Sequence, residues 1–463
     1  MSSRFPWEPF PTEEASPRGP DPVPRRAVQA AVTAADAYRS LRAALGREDG
    51  VLRVGNRFVP DRRYRQVAFV AVGSAANSMA LAALHAIGDR LTQGYVAGPE
   101  PVADEIPFRG EIVPPGLPGF PGAEGIVRAA EEIAEGLGPD DLLLYLVSPG
   151  ALRALAVPPP GATPAEFEAG FRAAVDAGAT GRDVALLART VGTGGVGGRL
   201  GAAATRGDCA TFVLDRGDGP GLVGGGPVDP VRPAERTEVR EIVARLGAAR
   251  LGPLAAGADL PGATPSPARP ASVARPVVIA APSDALRAAA ESIFDRGWTS
   301  RIGFLQLRAP PDEAAERLVA RAEELVDAEG PPGPESRGVA VVAMTTLGLP
   351  EGVDEGPALA AFLTRARAVV RRREMSVTIA RTAGGIGDAA YPPVAVVGPP
   401  SEPRSTVPPD PPRGYPLPAG ITDVGLLAIV LSAPSPAPAG AAASSRGRTV
   451  TPGPTAGRLR NAA

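Results

Sequence analysis

Three short stretches of the chain carry residue types that handle anions or cations. The first is Ala71–Leu84, AVGSAANSMALAAL, where Gly73, Ser74 and Ser78 follow the apolar run Gln66 to Val72 and lead into a small-residue helix. A strand, a glycine turn and a helix start can present backbone N–H groups to a phosphate, and the same shape also serves as a plain packed turn. The second stretch, Ala188 to Gly201, holds Arg189 and Arg199. A guanidinium fork binds carboxylate or phosphate bidentately, although surface or structural arginines are common in a chain with 48 of them. The third places Asp215 and Asp218 on one loop. Two such carboxylates suit Mg2+ with retained waters, or simply end a strand in a turn. Overlapping the second stretch, Gly192, Gly194 and Gly197 form a G-x-G-x-x-G with Asp215 downstream, the outline of a dinucleotide fingerprint. His85 and Cys209 have no local motif that would make either a catalytic nucleophile or base.

The elements that must position these residues are readable from apolar runs. Strands are expected at 66–72, 141–147, 210–215, 276–281, 302–307, 338–344, 376–380 and 426–431, as continuous apolar runs of strands buried on both faces. Helical patterns cover 123–137, 233–249, 283–297 and 312–329, with Ser283 and Asp284 expected at the start of the third. The alternation implies α/β architecture: two domains, each a mostly parallel sheet covered by helices, with a cleft between them. The expected organisation is a disordered Pro-rich N-terminus (1–25), an N-terminal α/β domain (26–256), a linker (257–275), a C-terminal α/β domain (276–431) and a disordered low-complexity tail (432–463). Residues 399–418 read as a long Pro-rich loop.

Composition narrows the function classes. A net charge of −2 gives no electrostatic case for nucleic acid or an anionic membrane. No apolar run approaches the length of a membrane span, and a single cysteine excludes an intrachain disulfide or a Cys-based zinc cage. A cytoplasmic location is the expectation. The chain contains no lysine at all. Exchange of surface lysine for arginine changes little, but a compact active-site ammonium is not replaced by a planar fork.

The order of segments resembles the glycerate 2-kinase family, whose C-terminal part is called the MOFRL domain. That family's motif G-A-G-K-A-S aligns without a gap on Gly73-Ser74-Ala75-Ala76-Asn77-Ser78, with Ala76 at the lysine position. Its G-H-P-V-P-D aligns with the segment holding Gly116 and Pro118, with Leu117 in place of histidine. S-G-G-G-S-A-L-L corresponds to Ser148-Pro149-Gly150-Ala151-Leu152-Arg153-Ala154-Leu155. V-R-K-H-L-S-x-I-K-G-G-R-L-A falls on Ala188 to Gly201, matching Arg189, Gly197, Gly198, Arg199 and Leu200, with Thr190 and Val196 at the lysine positions. S-D-V-x-G-D and S-G-P-T are echoed in LDRGDGPGLVGGGPVDP, which keeps Asp215, Asp218 and Gly226-Pro227. G-T-N-V-N-D-L becomes Gly420 to Leu426 without its asparagines.

The resemblance implies a two-domain α/β enzyme that phosphorylates glycerate from ATP and Mg2+. It places Gly73, Ser74, Ser78, Ser148, Gly150, Gly197 and Gly198 around the nucleotide, Arg189 and Arg199 in catalysis, and Asp215 and Asp218 on the metal. Phosphoryl transfer depends on fixed positive charge and metal ligands. With three lysine positions vacant, the expectation is a catalytically degenerate member, with a small hydroxy-acid, phosphate-bearing or protein ligand. The alternatives are an active kinase using arginines in place of lysines, and a dinucleotide-dependent enzyme on 184–215.

Overall fold

The computed structural model describes residues 22–204, 206–259, 274–329, 336–350, 353, 355–370, 375–381, 394–397 and 425–432. Most of the expected N-terminal tail and linker, the loop at 399–418 and the tail beyond 432 lie outside these residues. The expectation for residues 22–25 is corrected. They begin helix α1 (Pro22–Ala34), whose Val23, Ala27, Val28, Ala31 and Val32 are buried on one face. Proline is tolerated in a first helical turn because those N–H groups have no intrahelical partner anyway.

After α2 (Ala37–Ala44) comes an antiparallel meander of β1 (Leu45–Glu48), β2 (Val51–Val54) and β3 (Arg57–Pro60). The first sheet then opens with β4 (Gln66–Val72), α3 (Ala76–Ile87), β5 (Leu91–Gly98), β6 (Arg109–Ile112), α4 (Ala123–Glu135) and β7 (Asp141–Val147). Short elements follow: α5 (Ala151–Leu155), β8 (Ala156–Val157), α6 (Pro164–Asp176), α7 (Gly181–Val191), β9 (Thr193–Gly194) and α8 (Arg199–Ala203). They lead into β10 (Asp208–Leu214), α9 (Pro233–Leu246), α10 (Ala248–Leu251), α11 (Pro253–Asp259) and β11 (Val277–Ala280). The strand order is β11-β10-β7-β4-β5-β6, and every pairing is parallel. Both faces are buried, which is why β4 and β7 read as unbroken apolar runs.

The rest of the chain is α12 (Pro282–Phe294), β12 (Thr299–Leu307), α13 (Pro311–Glu329), β13 (Val339–Thr345), α14 (Gly356–Val369), β14 (Met375–Arg381), β15 (Val394–Val397) and β16 (Leu426–Ser432). The second sheet, β12-β13-β16-β14-β15, departs from the mostly parallel expectation: only β12–β13 is parallel, and the other pairings are antiparallel. The last strand inserts between β13 and β14 in the opposite direction, an arrangement that apolar runs alone do not reveal. Helix α12 starts at Pro282 rather than at Ser283. Asp284 nevertheless serves its start, accepting the Ala281 N–H at 2.9 Å.

The strand expected at 276–281 to open the second sheet joins the first, beside β10 with Phe212 opposite Val277. Its apolar character fits either sheet, so pairing was open until the tertiary structure chose. One continuous core runs from the first sheet through α1, α2, α3 and α12 to the second. Helices α4 to α9 and α11 cover the far face of the first sheet, and α13 and α14 the far face of the second. The sharing of α1 and α12 has a checkable consequence. A chain ending at residue 259 lacks β11 and the α12 surface that buries α1. It should melt at a lower temperature and bind more ANS than one ending at residue 297.

Candidate functional site

Strands β4 and β7 are neighbours whose connections leave in opposite senses. The chain after β4 enters α3 on one face, and the chain after β7 enters α5 on the other. This is the topological switch point of an open parallel sheet, where ligands usually sit outside the carboxyl ends of the strands. The turns at Gly73 and Ser148 stand on either side of it.

Here the two turns close on each other. Gly73 has φ +115°, and a Cβ there would lie 2.3 Å from the Ser148 carbonyl oxygen and 2.4 Å from its Oγ. The Ser74 N–H donates to the Pro149 carbonyl at 2.7 Å, and the Ala75 N–H to Ser148 Oγ at 3.0 Å. Buried Ser148 donates its own hydroxyl to the Val72 carbonyl at 3.2 Å. Two of the donors that a phosphate would need are thus satisfied inside the protein. Ser78 lies in the first turn of α3, half-buried, and Gly150 opens α5 with φ +85°. Ala76, at the motif's lysine position, is buried.

The glycine pair farther along is engaged in the same way. The N–H groups of Gly197 and Gly198 donate to the Gly225 and Gly226 carbonyls, both at 2.9 Å, and Gly201 donates to Pro227 at 3.0 Å. The facing strip calls for glycine: Gly226 has φ +60°, and a Cβ there would sit 2.4 Å from the Gly221 carbonyl oxygen. Leu152 and Val196 pack over Gly225. Arg189 is buried, its guanidinium donating to the Gly221 carbonyl and, at 2.7 Å, to the Pro230 carbonyl; its Nε lies 3.3 Å from Glu235. Burial lowers its pKa, while Glu235 opposes that shift. Arg199 donates to the Gly192 and Val196 carbonyls, each at 3.1 Å, and burial lowers its pKa too.

Asp215 Oδ1 accepts the Gly217 and Gly219 N–H groups at 2.9 and 3.2 Å. Burial raises its pKa, with those hydrogen bonds acting in the other direction. Asp218 pairs with Arg308 at 3.1 Å, beyond the end of β12. One carboxylate of the pair is engaged by an arginine and the other caps its own turn, so a Mg2+ ion here would have to compete with these contacts and take its remaining ligands from water or phosphate. The turn instead joins the two units. Gln306 donates to the Arg216 carbonyl at 2.8 Å, and Arg216 pairs with Glu355 at 3.1 Å with both side chains largely buried.

The dinucleotide outline is corrected. Residues 181–191, which that reading needs as a strand, form α7, and the helix after Gly197 is only the five-residue α8. His85 is exposed near the end of α3, its Nδ1 2.8 Å from the Tyr38 hydroxyl, far along the helix from the Gly73 turn. Cys209 is buried within β10, and burial pushes its thiol up to about 12. Leu117 is buried, and its carbonyl accepts from Arg153.

Several residues around these stretches were not singled out from sequence. Glu235, in the first turn of α9, is buried and holds both Arg189 and Arg232, the latter at 2.8 Å. Arg182, Asp229 and Arg275 line a cleft of about 520 Å3 beside it. Asp229 follows the Gly226-Pro227 echo by two residues and carried a signal; Arg275 carried none.

Residues 23–255, half of the chain, match the family described as "Domain of unknown function (DUF4147)", and the chain belongs to that family. Among solved structures it is similar to the glycerate kinase from Thermotoga maritima, with a TM-score of 0.64, 17% identity, and 89% of this chain and 98% of that one covered. The PH0495 protein from Pyrococcus horikoshii OT3 is similar with a TM-score of 0.61 and 16% identity over the same shares. At such identity the likeness is one of fold. No curated protein matches the chain. Among the described residues no helix is long and apolar enough to cross a membrane.

Two measurements probe this geometry. Gly73→Ala should lower stability by about 2 kcal/mol or more, read by urea denaturation, because the new methyl meets backbone oxygens at an unfavourable φ. Glu235 supplies a pH test. Burial alone would raise its pKa, but hydrogen bonds from Arg232 and the charges of Arg189 and Arg232 outweigh it and hold the carboxyl below its ordinary value. Its contribution is present above the unfolded pKa of ~4.3 and is lost as pH falls through the lower folded value. Glu235→Gln should therefore be less stable at pH 7 and show a flatter loss of stability as the pH falls through that window.

Proposed function

We propose that this protein keeps the glycerate kinase fold without the phosphotransferase reaction and acts as a small-anion or protein-binding member of its family. The observation that carries the reading is the closed switch point, where the N–H groups of Ser74 and Ala75 are bound by Pro149 and Ser148. Phosphoryl transfer requires charges and dipoles already aimed at the transferring group. Ala76, Thr190 and Val196 supply no such charge, and Arg189 and Arg199 donate to backbone carbonyls of the loops around them. ATP and Mg2+ would need the two turns to separate and Asp218 to leave Arg308. Each step breaks contacts that the resting protein makes.

A dinucleotide role has no comparable support. The kinase alternative rests on the fold and on two arginines that hold loops together.

Calorimetric titration of Mg-ATP, with and without glycerate, tests the proposal. The expected record shows no continuous reaction heat in either run. Sustained heat that requires glycerate would overturn the proposal and restore an active kinase.

A further inference from the structure

While the switch point is closed, the cleft beside α9 is open. At about 520 Å3 it falls within the usual size of small-ligand sites, and Arg182, Arg189, Arg232, Arg275, Asp218 and Asp229 are among its lining residues. Its charges do not cancel. Arg182 is neutralised by Glu238 at 3.1 Å, and Asp218 by Arg308 at 3.1 Å. Glu235 is shared between two guanidinium groups, Arg189 at 3.3 Å and Arg232 at 2.8 Å. Asp229 adds one more negative charge, acting on both of those arginines. That leaves Arg189, Arg232 and Arg275 against Glu235 and Asp229, an excess of one positive charge. Arg275 is exposed on the cleft wall and has no ion pair among the described residues. Arg232 keeps most of its side chain in solvent while holding Glu235.

We propose that this cleft binds a small monoanionic oxyanion, carboxylate or phosphate, between Arg232 and Arg275, with buried Arg189 and Glu235 fixing the wall behind it. The assignment deepens the anion-binding role proposed above and rests on that reading for its biological sense. Its chemistry stands on the cleft alone. A guanidinium presents two parallel N–H donors to a planar or tetrahedral oxyanion. One negative charge brings the wall to neutrality.

The test is isothermal titration of the full chain, without nucleotide, using inorganic phosphate at pH 6 and lactate as separate probes, with sodium chloride at matched ionic strength as the control. The expected result is saturable binding of at least one probe, weakened by about tenfold or more in Arg275→Gln and by less in Arg275→Lys, which keeps the charge but loses the paired donors, with all three proteins melting alike. A response to phosphate alone identifies a phosphate ligand, and a response to lactate alone a carboxylate. Absence of saturable binding to both probes in folded wild type overturns the assignment. So does unchanged binding in Arg275→Gln. Because no nucleotide is present, either outcome leaves the turnover experiment to decide separately about phosphoryl transfer.

Discussion

The meeting of two turns at the carboxyl ends of adjacent parallel strands governs the rest of this structure. Neighbouring strands lie ~4.8 Å apart, so connections leaving in opposite senses normally open a crevice between them. Here Gly73, lacking a side chain, lets the Ser148–Pro149 backbone fall into that crevice. The start of α3 then finds its hydrogen-bond partners within the protein, at the Pro149 carbonyl and the Ser148 hydroxyl. Pro149 has no N–H of its own to offer, yet its carbonyl becomes an acceptor that competes with any incoming oxyanion. One turn that could cradle a ligand becomes the internal partner of another.

The arginines follow the same inward logic. Arg153 reaches the Leu117 carbonyl and Glu168, Arg189 reaches Gly221, Pro230 and Glu235, and Arg199 reaches Gly192 and Val196. All three end on backbone carbonyls of glycine-rich or proline-rich loops. A planar fork with several donors can tie two carbonyls at once, a task for which a single ammonium point charge is less suited. Burying Arg189 is costly without a countercharge, and Glu235 at the start of α9 supplies it. A chain without lysine thus uses guanidinium groups as struts in the segments that resemble ligand loops.

The Asp215–Asp218 turn shows how the same residues serve a different end. Asp215 caps its own turn, and Asp218 faces Arg308, so the loop is shaped to meet Gln306, Arg308 and Glu355. Through these contacts and the helices α1 and α12, the two sheets share a core. The positive excess that remains lies beside α9, where Glu235 is divided between two arginines.

By itself the sequence determined the α/β class, the eight strands that read as continuous apolar runs, and the lesions in the motifs, but not the mixed-polarity β5. These depend on local properties: apolar runs long enough to be buried on both faces, and the absence of lysine anywhere. Short or mixed-polarity elements were not legible, including the β1–β3 meander, the exposed edge strand β6 and the start of α1 in a proline-rich stretch. Tertiary structure decided which sheet β11 joins, the antiparallel insertion of β16, and where each polar group finds its partner. An apolar strand pairs with whichever neighbour the packing brings, and Gly73 marks a close approach without saying to what. Whether Ser74 and Ala75 face a ligand or Ser148 and Pro149 depends on distances between segments some seventy-five residues apart, which no local pattern encodes.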